Sequence, residues 1–205
     1  MYSLSLQNIS RRFATRDALT NVNVEARTGD TMVVTGPNGS GKSTLLKIMA
    51  GALSPTNGSM KIMHEDVELT EEQRRHITGF VSPDLIMYSG MSGVENLLFF
   101  AELRGIKPKH EDLKNLLEMV GLLGRGRDMV SAYSSGMRQR LKYAFALLHR
   151  PSVLLLDEPT ANLDSAGLEM VNRVVAMQRE HGLLVVATND AHEAQWGNVL
   201  VRLGD

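Results

Sequence analysis

The chain has 205 residues, 43% of them hydrophobic, which suits one large α/β domain with a substantial core; a second independent domain is not expected. A formal net charge of −1 gives no reason to expect nucleic acid or an anionic membrane as partner, and the absence of cysteine excludes disulfides, thiol catalysis and cysteine metal sites. The start lacks the charged and apolar pattern of a secretion signal, and the apolar runs at 97–101 and 183–187 fall far below the roughly 18 to 20 residues of a membrane helix, so a cytoplasmic location is expected.

Residues 3–9 and 20–27 alternate apolar and polar side chains through Leu4, Leu6 and Ile9 and through Val22, Val24 and Ala26, which predicts two half-buried antiparallel strands. A short apolar segment, Met32-Val33-Val34, then leads into Gly36-Pro37-Asn38-Gly39-Ser40-Gly41-Lys42-Ser43-Thr44. These nine residues satisfy the phosphate-loop pattern G-x-x-x-x-G-K-[ST]. The glycines let the backbone curl until successive amides face phosphate oxygens, and the helix that follows adds its positive N-terminal dipole. Lys42 supplies a mobile positive charge, and Ser43 a hydroxyl for Mg2+, which prefers hard oxygen ligands. Leucines, isoleucine and methionine at helical spacing continue that helix over 44–50, until Gly51 and the run Ser54-Pro55-Thr56-Asn57-Gly58 turn the chain.

The stretch 92–123 reads as helical, most clearly where Leu113, Leu116, Leu117 and Val120 recur on one face after Pro108. Two near-continuous apolar runs, 153–156 and 183–187, flank a helical stretch and predict buried parallel strands. The first ends in adjacent carboxylates, Asp157 and Glu158, followed by Pro159. In a nucleotide site Asp157 can orient Mg2+ through its water shell, while Glu158 is placed to polarise a water for attack on the γ-phosphate.

Together these residues resemble the ATP-binding cassette (ABC) ATPases, and the resemblance covers nearly the whole chain. It implies a phosphate-loop core of ABC type, with an N-terminal antiparallel β subdomain and an inserted helical subdomain. In numbers this is one domain over 1–205, with 1–83 and 146–205 as nucleotide-binding core and 84–145 as helical and signature subdomain. ATP and Mg2+ are the implied ligands.

The family's signature, usually Leu-Ser-Gly-Gly-Gln, corresponds to Tyr133-Ser134-Ser135-Gly136-Met137. The resemblance implies that Ser134 and the amide of Gly136 bind the γ-phosphate held by a second copy, although Ser-Ser-Gly by itself reads as a helix N-cap. Phe13 falls where an aromatic residue stacks on adenine, although a lone Phe near a strand also reads as a core residue; Asn162-Leu163-Asp164 matches a segment that crosses to the partner copy, and Val94-Glu95-Asn96-Leu97 matches the start of the helical subdomain.

Two departures stand out. Pro83, in Gly79-Phe80-Val81-Ser82-Pro83-Asp84, occupies the place of the usual Gln and offers no side-chain amide; the adjacent Asp84 can substitute as an oxygen ligand to the metal or stand as a solvated loop acid. Asn189 occupies the place of the switch histidine, where it can hydrogen-bond a phosphate oxygen but carries no positive charge. His192 and the histidines at 64, 76, 110, 149 and 181 lack metal-ligand spacing and read as surface residues, and Arg138, Arg140, Lys142 and Arg150 read as a basic helix face, either solvated or near the phosphates, with no nucleic acid needed to explain it.

The expected function is that of an ATP-hydrolysing transporter subunit, peripheral on the inner face of the cell membrane. It would work as a homodimer around two Mg-ATP, drive a transmembrane permease subunit and touch the membrane through that partner only. The small size and the Ser-Pro-Asp loop resemble most the haem-exporter ATP-binding proteins of cytochrome c maturation and related exporters. The alternative is an ATP-gated dimerising clamp with slow or absent hydrolysis. A soluble cassette of DNA repair is disfavoured by the compact interval between phosphate loop and signature.

Overall fold

The architecture was read from a computed structural model, which describes residues 1–204. The alternating N-terminal segments form strands β1 (Tyr2–Phe13) and β2 (Arg16–Arg27), longer than their apolar alternation alone predicts. They pair antiparallel from Ser3 opposite Arg27 to Phe13 opposite Arg16, and the two-residue connection holds Ala14 at φ 47. Strand β3 (Thr31–Thr35) feeds the phosphate loop, which opens into helix α1 (Lys42–Met49). Strands β4 (Asn57–His64) and β5 (Val67–Glu68) then complete an antiparallel sheet ordered β2-β1-β4-β5.

A capping box between Thr70 and Gln73 starts the short α2 (Glu71–Ile77), which leads directly into β6 (Thr78–Val81). The 92–123 stretch is two helices, α3 (Gly93–Leu103) and α4 (His110–Met119). The break falls at Gly105, which takes the left-handed φ of 69 that favours glycine, and Pro108 follows before the second helix begins. Helix α5 (Ser135–Leu147), strand β7 (Val153–Asp157), helix α6 (Ser165–His181), strand β8 (Leu183–Thr188), the single turn α7 (Ala191–Ala194) and strand β9 (Val199–Arg202) complete the chain. Among the described residues no helix is long and apolar enough to cross a membrane.

The second sheet is parallel throughout, in the order β6-β7-β8-β3-β9, and its central strands carry apolar residues on both faces. Their period of two distributes those residues between two cores. Val153, Leu155, Leu183, Val185, Met32 and Val34 pack with α1 and the antiparallel sheet. Leu154, Leu156, Leu184, Val186 and Val33 face the opposite core, shared with helices α3 to α6. Each fully buried leucine or valine is worth about 1.5–3 kcal/mol, so the central strands are the most strongly fixed part of the molecule. Their C-terminal ends carry the phosphate loop, Asp157, Glu158 and Asn189 to one edge of the sheet.

Candidate functional site

The phosphate loop leaves β3 and returns into α1 through Gly41, the N-cap residue, at φ 100. A β-carbon there would lie 2.2 Å from the Ala18 carbonyl oxygen, so backbone conformation and close approach both require glycine. Lys42 is buried, and its ammonium donates to the carbonyl oxygens of Gly36 at 2.7 Å and Pro37 at 3.1 Å. The loop therefore curls around its own lysine.

A groove of about 500 Å3 lies against this loop, lined by Phe13, Arg16, Ala18, Asn38, Gly39, Gly41, Lys42, Ser43, Thr44 and Glu158. Phe13 is 45% exposed, and the guanidinium carbon of Arg11 sits 4.6 Å from its ring centroid. One face of the ring is thus covered by a cation, which suits the negative π-face. Arg16 and Ala18 line the groove without belonging to any recognised sequence motif; their signal is the strand register that sets Arg16 opposite Phe13, which only the folded hairpin supplies.

Asp157 ends the buried strand β7 and Glu158 turns outward, exposed, with φ 50. That left-handed backbone is uncommon for a glutamate and costs on the order of 1 kcal/mol. It is held by the Glu158 amide donating to the Ala187 carbonyl at 2.9 Å, and by the Tyr143 hydroxyl donating to the Pro159 carbonyl at 2.8 Å. Burial pushes the Asp157 carboxyl above its ordinary value, opposed by the Ser43 hydroxyl. Its Oδ1 is buried without a hydrogen-bond partner. An orphaned carboxylate oxygen beside a serine hydroxyl is a hard-oxygen donor set that fits Mg2+.

Asn189 follows β8 and donates from Nδ2 to Asn38 Oδ1 at 3.1 Å, which brings it to the phosphate loop. Asp84 is not solvated alone: Lys47 of α1 meets its carboxylate at 2.5 Å and holds it below its ordinary pKa. Pro83 contributes its carbonyl, which with that of Ser82 accepts from Lys142 at 2.8 and 3.2 Å. Lysines from α1 and α5 thus fasten this loop, an arrangement that motif spacing does not reveal.

Ser134 and Gly136 do not line the groove. Ser134 is exposed and caps α5, its hydroxyl accepting from the Met137 amide at 3.1 Å. Asp164 caps α6 through the Gly167 amide at 2.9 Å and pairs with Arg140. The basic helix face therefore needs correcting. Arg138 donates to the Tyr133 carbonyl, Arg140 and Lys142 are tied into neighbouring loops, and Arg150, exposed beyond the end of α5, reaches Asp112 of α4 at 3.7 Å, so all four cations have partners within the chain.

His149 also departs from the expected surface position. Its Nε2 lies 3.1 Å from the Thr78 carbonyl, and burial, helped by the nearby Arg104 charge, pushes its pKa down to about 4. His64, His76, His110, His181 and His192 are exposed, as expected.

A curled phosphate loop at the end of β3, with a carboxylate pair at the end of β7, one strand removed across β8 in the same parallel sheet, defines a nucleotide-binding cassette. The ABC transporter family model matches residues 19–161. The chain is 33% identical over 194 residues to the uncharacterized ABC transporter ATP-binding protein YxlF of Bacillus subtilis, covering 94% of this chain and 64% of that one. It is 32% identical over 186 residues to the lantibiotic transport ATP-binding protein SrtF of Streptococcus pyogenes, covering 91% and 79%. The fold matches the dimeric post-hydrolysis state of the ATP-binding cassette MJ0796 bound to ADP and Pi, with a TM-score of 0.82, 27% identity and coverage of 98% of this chain and 94% of that one. The chain belongs to the ABC transporter family and is an ATP-binding domain of it. It spans 54% to 64% of the length of three Bacillus subtilis relatives.

Proposed function

We propose that this chain is the ATP-hydrolysing subunit of a membrane transporter, working as two identical copies that enclose two ATP molecules with Mg2+. The observation that carries this reading is the convergence of Lys42, Ser43 and Glu158 on one groove while Ser134, at an exposed helix start, stays outside it. A second copy would supply its Ser134 and Gly136 to complete the site.

Phe13 offers its open face to the adenine, and Lys42 exchanges two backbone carbonyls for phosphate oxygens. Ser43 and Asp157 would hold Mg2+, which offsets phosphate charge when bound. Glu158 accepts the proton of the attacking water, and Asn189 donates a neutral hydrogen bond toward the phosphate. Asp84 is the further oxygen ligand expected for the metal, and its carboxylate is paired with Lys47. The segment 84–145 acts as helical and signature subdomain facing a transmembrane permease subunit, with 1–83 and 146–205 as core. Membrane association runs through that permease on the cytoplasmic face. Export of the cargo belongs to the proposal on the strength of the exporter resemblance alone.

The purified chain is expected to bind ATP with Mg2+ and to lose that binding in Lys42→Ala. Binding unaffected by this change contradicts the reading. A second reading, an ATP-gated clamp that hydrolyses slowly, is favoured by the uncharged Asn189 and by Pro83, which offers only a carbonyl already taken by Lys142.

A further inference from the structure

The β1–β2 hairpin carries three arginines close to Phe13 in its pairing, Arg11, Arg12 and Arg16, and their partners differ. Arg12 is spent on Asp17, with two hydrogen bonds of 2.6 and 3.0 Å to its carboxylate. Arg11 lies over the Phe13 ring and donates to the Ser54 carbonyl at 3.0 Å. Arg16 is different. It is exposed, lines the groove, and donates one hydrogen bond, Nη2 to the Gly39 carbonyl at 3.1 Å. Among the described residues no carboxylate lies in ion-pair range of its guanidinium. Asp17, the acid next to it in sequence, is occupied by Arg12.

Arg16 also has the right address. It is the register partner of Phe13, so the hairpin sets the ring and the guanidinium side by side at one end of the groove. Its contact with Gly39 reaches the middle of the phosphate loop, and Lys42, Ser43 and Thr44 line the same groove. An arginine presents several N–H donors in a planar fork that matches phosphate oxygens, and one bond to a carbonyl leaves the others available. A cation without a carboxylate partner, anchored on an anion-binding loop, is placed to be neutralised by the ligand itself.

We propose that Arg16 is a nucleotide-binding residue, whose guanidinium bridges the Gly39 carbonyl and the phosphate chain of a nucleotide stacked on Phe13. Arg11 and Arg16 then divide the work at the hairpin: Arg11 covers the back of the ring, and Arg16 fastens the base-binding end of the site to its phosphate-binding end. The assignment rests on the ATP-binding reading above and adds to it a contact outside the phosphate loop and the carboxylate pair. It also gives the hairpin a charge-dependent role in nucleotide affinity, in place of a purely apolar stacking role.

The test is equilibrium titration of ATP with Mg2+ into the purified chain and into Arg16→Ala, Arg16→Gln and Arg16→Lys, with thermal unfolding of each nucleotide-free variant as a fold control. Glutamine keeps an N–H donor for the Gly39 carbonyl and removes the charge; lysine keeps the charge. A charge-assisted phosphate contact predicts about tenfold weaker ATP binding in both Arg16→Ala and Arg16→Gln, less than about threefold in Arg16→Lys, and unchanged midpoints of unfolding. The ATP affinity of Arg16→Gln should also depend less steeply on salt than that of the wild type. Wild-type affinity in Arg16→Gln or in Arg16→Ala overturns the assignment and leaves ATP binding standing. A wild-type chain that binds no ATP overturns the function on which it rests.

Discussion

Gly41 shows how little freedom the site leaves a single residue. It combines a left-handed φ with a carbonyl where a β-carbon would go, so Gly41→Ala is expected to displace the loop and abolish ATP binding, checked by titration, with secondary structure retained by circular dichroism. His149 carries a pH prediction. Its folded pKa of about 4 lies below the ordinary 6.5, so on acidification the unfolded chain takes the proton first. Its contribution to stability is fully present above about pH 6.5 and is lost as pH falls from there toward about 4. Chemical denaturation across that window should show a steeper loss in the wild type than in His149→Gln. Lys42, Ser43, Asp157 and Glu158 are legible in the sequence because phosphate and water chemistry admits few side chains at those spacings. Arg16, Lys47 and Lys142 are not, because ordinary cations acquire their partners only when separate elements fold together.

At the scale of elements, α5 links the fold to the proposed interface. Ser134 caps the helix, so Ser134→Ala is expected to cost about 1 kcal/mol of stability by urea denaturation, whatever it does to activity. Ser134→Asp separates the two roles: aspartate preserves the cap but sets a negative charge where the partner copy's phosphate would come. Normal stability with no ATP-dependent association, measured by sedimentation in the Glu158→Gln background, is the expected outcome; association as strong as without the change contradicts the shared site. The strands with strong apolar patterning, β1, β2, β3, β7 and β8, follow from their sequences. By contrast β4 is mostly exposed and β6 and β9 have four residues each, so their periodicity is too weak or too short to separate strand from loop. Their pairing is decided by the neighbours they dock against.

Across the whole molecule, the parallel sheet's strand ends gather the phosphate loop, the carboxylate pair and Asn189, while the antiparallel hairpin contributes Phe13 and Arg16 from the other sheet. The groove is therefore a property of the assembled sheets. In the proposed hydrolysis, the rate turns on residues where this chain departs from its family's pattern, with a neutral amide at Asn189 and a lysine-held Asp84 behind Pro83. These departures predict a modest rate that still depends on Glu158. Steady-state ATP turnover by the purified chain with Mg2+, compared with Glu158→Gln under the same conditions, tests this most directly. The account predicts measurable wild-type turnover that falls at least about 100-fold in the variant, as removal of a general base requires, with ATP binding retained. Equal rates in the two proteins, negligible or not, would contradict it.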